Sequence, residues 1–502
     1  MQSAWGGKMK RNMARKNALW CGVVVAATAL SGALSGCSGV PSGSGPTPPS
    51  QNASLAVTMT SKPALSLTGV SVLSATVGIT GITFTPSTGT AVSLTLSPTV
   101  YPVDLTRLQS DSAFLGTLSL PAGSYTSASV TFSAPVITIF NQSGSTVNST
   151  CLTNTICELV LTAGSASITA TPFPLTLTSS QATGISLNVD LNTALTLTSN
   201  TLAVSFTTMN AVTSAQLPRT GSLTGALDVI EDFVGKVTAA SSSSLTVQSS
   251  NGITLQFTLP STVVIEDPQG LCAALSTACL VANQTVVSVD ATVTTTGTLS
   301  ATSVDLLDAT PVDEVEGTIV LNGTVGQFYL VVAKTIVASG NGTLAAANPG
   351  DVFLVTLSNP TFIVDTDEFY NNATVATSTI TTLFNSQAGL VNGQDVMVQV
   401  TAASGSASSA DQALTTGLVR LRFTRTTGTV QSVSGNAFTL SNLPPFIGFV
   451  TNPLVDTVPG LTTFDGVTDV SGVTAAQNVS IRALLLNNST FSFYAAKVRV
   501  QP

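Results

Sequence analysis

The feature that most constrains the fold is a strand pattern that recurs three times in the second half of the chain. It opens at Gly235-Lys236-Val237, again at Gly317-Thr318-Ile319, and again at Gly428-Thr429-Val430. The first copy closes on the run 301–306 and the last copy on the run 495–500. Because such a repeat is one supersecondary unit built several times, we expect an array of small, similar modules.

The three copies span residues 228–309, 315–423 and 426–502, and each has room for five or six short strands. The middle copy carries insertions near 338–351 and 385–391. A closed barrel is the expected form, because closure removes the exposed edges of a short sheet. Acidic residues mark the joints before the first two copies, namely Asp228, Glu231, Asp232, Asp308, Asp313, Glu314 and Glu316.

Residues 53–217 precede these copies and consist of short apolar segments separated by turn residues. In the stretch 185–191 every second residue is apolar, which is typical of a strand with one buried face. No amphipathic helix of any length is evident in the pattern. The predicted fold is therefore all-β, with an N-terminal β-sandwich followed by three small β-barrel-like repeats.

The first 36 residues have the pattern of an export signal. Five basic residues and no acid precede an apolar stretch from Ala18 to Ala33, which is shorter than the roughly 20 residues needed to span a bilayer. The run Leu34-Ser35-Gly36-Cys37 then resembles the lipobox of bacterial lipoproteins, in which the thiol of Cys37 is acylated and becomes the mature N-terminus. The alternative is an ordinary signal peptide that leaves Cys37 as a free thiol.

Residues 37–52 are rich in Gly, Ser and Pro and cannot bury enough apolar surface to fold, so we expect a tether. Ser38, rather than Asp, follows the lipid site, which resembles outer-membrane sorting in bacteria with two membranes. The expected location is the cell envelope. There the lipid would hold the chain at the outer membrane, on its periplasmic or its surface face.

Four cysteines remain beyond the signal and the lipobox, and they form two close pairs. Exported chains meet oxidising conditions, which predicts a disulfide between Cys151 and Cys157 and another between Cys272 and Cys279. A metal site is the alternative. It is disfavoured because the spacings are not C-x-x-C and the chain has no histidine.

Composition excludes several classes of function. Beyond the signal, 11 Lys and Arg stand against 24 Asp and Glu, a net charge of −13, which argues against nucleic acid as a partner. The absence of histidine excludes Ser-His-Asp and Cys-His catalysis and histidine-ligated metals. No phosphate-binding G-x-x-x-x-G-K-[ST] loop is present. We therefore predict no catalytic residue and no required cofactor.

Carboxylates are the remaining candidates for chemistry. Glu266-Asp267 and the run 365–368 each follow an apolar strand at comparable places in their repeats, so solvated turns are expected. One alternative is a carbohydrate-active carboxylate pair. Another is a weak calcium site at Asp365, Asp367 and Glu368. The full calcium-loop pattern is missing, and beyond the signal the chain has no Trp to stack on sugars.

Four further side chains have a structural interpretation. Tyr125 and Phe140 lie within apolar runs, which favours packing in the core over a ligand surface. Lys497 and Arg499 alternate with Val498 and Val500. That alternation predicts the solvent-exposed face of a terminal strand.

Three segments of the first domain, 103–108, 120–125 and 185–191, are similar to an uncharacterised family of bacterial lipoprotein domains. The Pro-Ala-Gly-x-Tyr element within them also resembles transthyretin-like sandwiches, which implies a glycine turn with the tyrosine packed back on the sheet. The three repeats resemble a second family of domains of unknown function. Neither resemblance implies an agreed reaction.

Together these features predict a lipid-anchored, non-enzymatic envelope protein that presents β modules for adhesion, scaffolding or partner binding. Its partners would be the membrane, through the lipid, and an unidentified envelope protein or polysaccharide. The alternative is a carbohydrate-binding or carbohydrate-active envelope protein that uses carboxylate residues.

Overall fold

The computed structural model describes residues 52–501, except 65–66, 134, 163, 170–171, 220–224, 268–269, 273–275, 311, 339, 366–376, 406–411, 448–451 and 489–491. Residues Ser50–Pro502 form one compact unit. The signal, the tether and Cys37 lie outside the described residues, apart from Asn52 at the end of the tether. The fold is all-β, with a two-sheet sandwich followed by three closed barrels, so the predicted fold class is confirmed.

Helices are few and short in the described chain. No helix there has the length and apolar character needed to cross a membrane. The α-helices are α1 (Leu191–Ala194), α2 (Gly342–Ala345) and α3 (Thr377–Leu383), and the 3-10 turns are Arg107–Gln109, Thr277–Cys279, Gln387–Gly389, Pro445–Ile447 and Val470–Gly472.

The sandwich is built from two main sheets and a small hairpin. Its strands are β1 (Asn52–Lys62), β2 (Val70–Pro86), β3 (Val92–Leu94), β4 (Tyr101–Asp104), β5 (Ala113–Pro121), β6 (Gly123–Phe132), β7 (Val136–Asn141), β8 (Thr155–Val160), β9 (Ser165–Ile168), β10 (Leu175–Leu177), β11 (Ala182–Asp190), β12 (Leu195–Thr198), β13 (Thr201–Val204) and β14 (Val212–Leu217). One sheet has the order β14-β11-β1-β5, and the other has β10-β6-β2-β7-β8 with β3, β4 and β9 attached. Strands β1 and β11 run parallel.

Alternation along the strands explains the sandwich core. On β11, the side chains of Ile185, Leu187 and Val189 are fully buried, as the sequence pattern predicts. Tyr125 is also buried, and its hydroxyl donates to the carbonyl oxygen of Pro121 at 2.9 Å. The predicted packing of this tyrosine is thereby confirmed. Phe140 is half-buried and packs at the boundary between the sandwich and the second barrel.

The three barrels share one strand order. The first contains β15 (Ala226–Ala240), β16 (Ser244–Gln248), β17 (Thr254–Thr258), β18 (Val264–Glu266), β19 (Val286–Thr294) and β20 (Leu299–Asp308). The second contains β21 (Glu314–Val320), β22 (Gln327–Ile336), β23 (Val352–Val364), β24 (Asp395–Ser404) and β25 (Ala413–Arg422). The third contains β26 (Thr424–Ser434), β27 (Ala437–Ser441), β28 (Leu454–Thr457), β29 (Thr463–Asp465), β30 (Asn478–Leu486) and β31 (Ser492–Val500).

Each barrel closes in the ring order 1-2-3-5-4, and its third and fifth strands are parallel. This Greek-key arrangement is that of the OB-fold. The third strand is split in two pieces in the first and last barrels, where β18 and β29 continue the parallel pairing. In the middle barrel β23 is continuous, with a register shift after Leu357.

The glycine that opens each repeat has a steric role. A Cβ atom would lie 2.4 Å from the carbonyl oxygen of Gln248 at Gly235, and 2.1 Å from that of Val331 at Gly317. At Gly428 the corresponding contact, to the carbonyl oxygen of Ser441, would be 2.8 Å. The first strand therefore approaches the second more closely than any side chain permits, which explains why Gly recurs at this place.

The modules also share apolar cores. One cluster runs without interruption from the sandwich, including Val57, into the first barrel, including Phe257. A second cluster fills the middle barrel and takes in Leu484 and Leu486 of the third barrel. The four modules therefore pack on one another through buried apolar surface.

Candidate functional site

Both cysteine pairs are bonded as the sequence predicts. The Cα atoms of Cys151 and Cys157 lie 5.6 Å apart, and those of Cys272 and Cys279 lie 6.0 Å apart. Both separations fall within the ordinary range for disulfides. The first bond fixes a loop beside β8, and the second fixes the connection between β18 and β19.

The calcium candidate is only partly within the described chain. Asp367 and Glu368 lie outside the described residues, while Asp365 is buried and forms an ion pair with Arg422. The solvated turn expected at Asp365 is therefore wrong, because a neighbouring guanidinium covers it. Among the described residues, no group of three or more acids or cysteines is placed to hold a metal ion.

The turn at Glu266-Asp267 is likewise not solvated. Asp267 is buried, and its carboxylate accepts hydrogen bonds from the backbone N–H groups of Leu271 at 2.8 Å and Cys272 at 2.6 Å. It therefore holds the chain that leads into the second disulfide. Glu266 is half-buried at the end of β18.

Glu266 lies directly across the parallel strand pair from Asp305 of β20. Burial raises the pKa of Glu266 to about 7, with a smaller effect from Asp290. Burial also raises the pKa of Asp305 to about 7, against the opposing charge of Arg422. Asp305 is 1% exposed, and among the residues that the structure describes neither of its carboxylate oxygens has a hydrogen-bond partner.

Asp305, but not Glu266, borders a cavity of about 440 Å³ between the first and second barrels, which Phe362, Phe384 and Arg420 also line. Acid–base catalysis by two carboxyls requires environments that push their pKa values apart, so that one is protonated and the other ionised. Here burial raises both pKa values to a similar level. Burial of the two carboxyls therefore does not by itself assign one as the acid and the other as the base.

The buried Asp305 gives an expected pH dependence. Its folded-state pKa is raised, so the folded chain keeps a proton that the unfolded chain releases above about pH 4. The contribution of Asp305 to stability should therefore fall by roughly 2–4 kcal/mol as pH rises from about 4 to 7, and Asp305→Asn should remove that contribution. Urea unfolding across this range measures the difference. Parallel profiles for the variant and the wild type would contradict it, and Asp469→Asn, at an exposed acid, is the matched control.

The largest ionic feature is a cluster of buried charges where the four modules meet, here called the central junction. Nine of the eleven basic residues beyond the signal lie in it. Its residues are Arg107, Asp111, Arg219, Asp228, Glu231, Asp232, Glu316, Lys334, Asp395, Arg420, Arg422, Arg425, Asp465, Arg482, Lys497 and Arg499.

Arg425 of the third barrel connects all the other modules. Its guanidinium lies 2.5 Å from Asp111 of the sandwich, 2.7 Å from Asp232 of the first barrel and 3.6 Å from Asp395 of the second. It also donates to the carbonyl oxygen of Phe423 at 2.8 Å. This one side chain therefore contacts an acid in each of the other three modules and links all four.

Other pairs join the modules two at a time. Arg107 of the sandwich lies 3.2 Å from Glu316 and 3.3 Å from Asp395, both in the second barrel. Lys334 of the second barrel lies 3.5 Å from Asp232 of the first. Burial acts to raise the pKa of Asp232, but the neighbouring cations outweigh it and hold the pKa well below its usual range.

The terminal strand overturns one sequence expectation. Lys497 and Arg499 were expected on a solvent-exposed face, yet they are 4% and 5% exposed. Lys497 lies 2.7 Å from Glu231 of the first barrel. Arg499 pairs with Asp465 at 2.8 Å and donates to the carbonyl oxygen of Asp111 at 2.9 Å. The outer face of β31 is covered by neighbouring modules, which strand alternation alone does not reveal.

A signal for the junction is nevertheless present in the sequence. Asp228, Glu231 and Asp232, which were expected at a joint, lie in the first strand of the first barrel, while Arg420 and Arg422 alternate with apolar residues at the end of the second barrel. Acidic residues therefore lie at the start of the first repeat, and basic residues lie at the end of the second. Their alternation with buried residues is the pattern that could have indicated pairing between modules.

Comparison with known proteins identifies the first module. Residues 52–221 match the family described as a domain of unknown function (DUF4382). The match coincides with the sandwich and confirms, for this part of the chain, the resemblance to an uncharacterised family. No curated protein matches the chain.

Proposed function

We propose that this chain is a lipid-anchored, non-enzymatic protein of the bacterial cell envelope that holds four β modules as one rigid scaffold for partner binding. The observation that carries the proposal is the central junction. Removing one partner of a buried ion pair leaves an uncompensated charge, which costs about 3–5 kcal/mol. Modules joined by such pairs and by shared apolar clusters lose both kinds of contact when they separate, which supports a fixed relative position.

The anchor is supported by the order of features at the N-terminus. A basic segment, a short apolar stretch, the run ending at Cys37 and a Gly/Ser/Pro-rich tether follow one another. Two acyl chains hold a protein stably to a membrane, whereas one binds only marginally. We further propose the outer membrane as the location, since Ser38 rather than Asp follows the lipid site.

Burial of the cations supports partner classes other than nucleic acids and anionic lipids. Only Lys62 and Lys236 of the basic residues beyond the signal lie outside the central junction, and both are partly exposed. The accessible surface is therefore acidic and rich in Ser and Thr. We propose an envelope protein or a neutral polysaccharide as the partner.

The finer assignment of the sandwich is also a proposal. A transthyretin-like module is supported by the left-handed backbone of Gly123, with φ of 153°, and by the buried Tyr125 that follows it. The likeness of the three barrels to a second family of unknown function rests on their shared opening glycine and strand order.

A carbohydrate-active function is the alternative, and the adjacency of Glu266 and Asp305 is the observation that favours it. Turnover on a panel of polysaccharides, abolished by Glu266→Gln, would establish it. Asp367→Asn tests the second acidic cluster. Absence of turnover across the panel would retire this alternative.

Cys37→Ser should move the protein from the membrane to the soluble fraction, because the substitution removes the acylated thiol. Cys21→Ser, which lies within the signal, is the matched control and should stay with the membrane. Membrane fractionation after a carbonate wash measures both. Retention of the Cys37→Ser variant on the membrane would contradict the anchor.

Partner binding is tested by photo-crosslinking of the full-length chain in intact cells, followed by purification and mass spectrometry. We expect one or a few envelope components to be recovered reproducibly with the wild type. Recovery of no envelope protein or polysaccharide would overturn the scaffold proposal.

A further inference from the structure

A second recess lies between the sandwich and the middle barrel, away from the acid pair of Glu266 and Asp305. Strands β7 and β8 form one wall, and β21, β22 and β23 form the other. Its volume is about 760 Å³, within the roughly 300–1,000 Å³ typical of ligand sites. We call it the sandwich–barrel cleft.

The two walls are held together by direct contacts. The hydroxyl of Thr138 on β7 donates to the carbonyl oxygen of Gly350 at 2.6 Å, and that of Thr76 on β2 donates to the carbonyl oxygen of Pro349 at 3.2 Å. Phe140 and Val320 pack in one apolar cluster at its base. The cleft is therefore formed before any ligand arrives, which lowers the entropic cost of binding.

The same contacts bring two carboxyl groups together. Glu158 of β8 is the direct cross-strand partner of Thr138, so both project from the same face of the sheet. Thr138 donates to the carbonyl oxygen of Gly350, and Asp351 is the next residue along the chain. The side chain of Asp351 hydrogen-bonds with that of Glu158. The backbone N–H of Asn348 donates to the Oδ2 atom of Asp351 at 2.9 Å.

A hydrogen bond between two carboxyl groups requires a proton on one of them, because an ionised carboxylate only accepts. Desolvation within the cleft, with smaller effects from the hydrogen bond and the charge of Asp351, raises the pKa of Glu158 to about 7. A pair with one proton offers both a donor and several acceptors. No Lys or Arg is among the described residues that line the cleft, so an anion would find no partner there.

An aromatic side chain completes the lining. Tyr329 on β22 is 37% exposed, whereas its neighbours Phe328 and Leu330 point into the barrel and are fully buried. Its cross-strand partners are Val320 and Leu354, which support the ring on the outer face of the sheet. The ring is therefore a fixed apolar platform beside the carboxyl pair.

We propose that the sandwich–barrel cleft binds a neutral oligosaccharide, with a sugar ring stacked on Tyr329 and its hydroxyl groups hydrogen-bonded to Glu158 and Asp351. Sugar hydroxyls both donate and accept, which matches a carboxyl pair with one proton. A wholly apolar ligand would leave those carboxyls without partners, at a cost in desolvation. A cation would have to displace the shared proton. This assignment rests on the proposed partner-binding function and specifies its ligand class.

The test uses the full-length chain in a detergent without a sugar headgroup, applied to an array of oligosaccharides. The array carries neutral hexose and N-acetylhexosamine oligomers, sialylated and uronic acid oligomers, and immobilised spermine. We expect retention on one or more neutral oligomers and none on the anionic ones or on spermine. Glu158→Ala and Tyr329→Ala should each weaken binding by about tenfold or more, since the first removes hydrogen bonds to the sugar hydroxyls and the second removes the ring on which the sugar stacks.

Two controls separate binding from folding. Tyr329→Phe keeps the ring and should retain binding, and Asp456→Ala removes an acid of the third barrel outside the cleft. All four variants should unfold at the same temperature as the wild type. Binding unchanged in either Glu158→Ala or Tyr329→Ala, retention on spermine instead, or no retention on any neutral oligomer would overturn the cleft assignment.

The outcomes also distinguish this inference from the scaffold proposal. Release of new reducing ends from a bound oligomer would contradict a non-enzymatic function and leave the sugar site standing. Recovery of an envelope protein by crosslinking, with no neutral oligomer bound, would support the scaffold proposal and overturn the sugar site.

Discussion

Arg425→Met is expected to lower the free energy of unfolding by about 3–5 kcal/mol at neutral pH. The substitution keeps the apolar stem and removes the guanidinium that lies between Asp111, Asp232 and Asp395. These acids are buried, so the lost partner cannot be replaced by water at low cost. Urea unfolding followed by circular dichroism measures the change.

Lys236→Met is the matched control. Lys236 is a partly exposed residue of β15 and takes part in no ion pair among the described residues. We expect its effect to stay within about 0.5 kcal/mol. An equally small effect of Arg425→Met would mean that the central junction does not hold the modules together, and the rigid scaffold would lose its main support.

A double-mutant cycle identifies the source of the loss. Asp111→Asn removes the charge that Arg425→Met leaves unpaired, so the double variant should be more stable than the sum of the single effects predicts. Additive effects would instead assign the loss to packing. The cycle therefore separates a charge contribution between modules from the general cost of altering a buried side chain.

Gly317→Ala is expected to destabilise the chain by about 1–3 kcal/mol, because the added methyl group overlaps a backbone carbonyl of the next strand. Backbone cannot move aside as a flexible side chain can, so the first two strands of the barrel must separate. Thermal unfolding of the purified variant measures the loss.

Gly417→Ala provides the control in the same barrel. A Cβ at Gly417 would meet its nearest atom, in the side chain of Thr401, at 3.8 Å, which is an ordinary contact. This substitution should be neutral or slightly stabilising, since alanine restricts the unfolded chain. If both variants unfold alike, the close approach at Gly317 is not what fixes its identity.

The sequence predicted the architecture because its signals are local. The alternation at Ile185, Leu187 and Val189 identifies a strand, and the recurring glycine at Gly235, Gly317 and Gly428 identifies the repeat. The disulfides were predicted from the spacing of the cysteines and from the expectation that the chain is exported. Each of these inferences needs only neighbouring residues or a period along the chain.

The exposure of charged residues could not be predicted in the same way. Lys497 and Arg499 alternate with buried valines, and alternation shows which side chains share a face but not what covers that face. The covering comes from other modules, through Glu231 and Asp111. The solvated turns expected at Asp267 and Asp365 were wrong for a different reason, because partners within the same barrel bury these acids: the backbone N–H groups of Leu271 and Cys272 for Asp267, and Arg422 for Asp365.

The cleft was missed because its parts are distant in sequence. Glu158 belongs to the sandwich, whereas Asp351 and Tyr329 belong to the second barrel. A single acid in one strand and a single tyrosine in another do not form a sequence motif that would predict a shared site. Only the docking of Gly350 on Thr138 places them together.

Burial of the cations has a consequence for resistance to proteolysis. Trypsin-like proteases cut after Lys or Arg and must draw that side chain into a pocket of their own. In the described chain, nine of the eleven such side chains are held in the central junction, which leaves Lys62 and Lys236 as the partly exposed ones. Cleavage at the other nine requires the modules to open first, so the ion pairs that fix the scaffold also protect it from digestion.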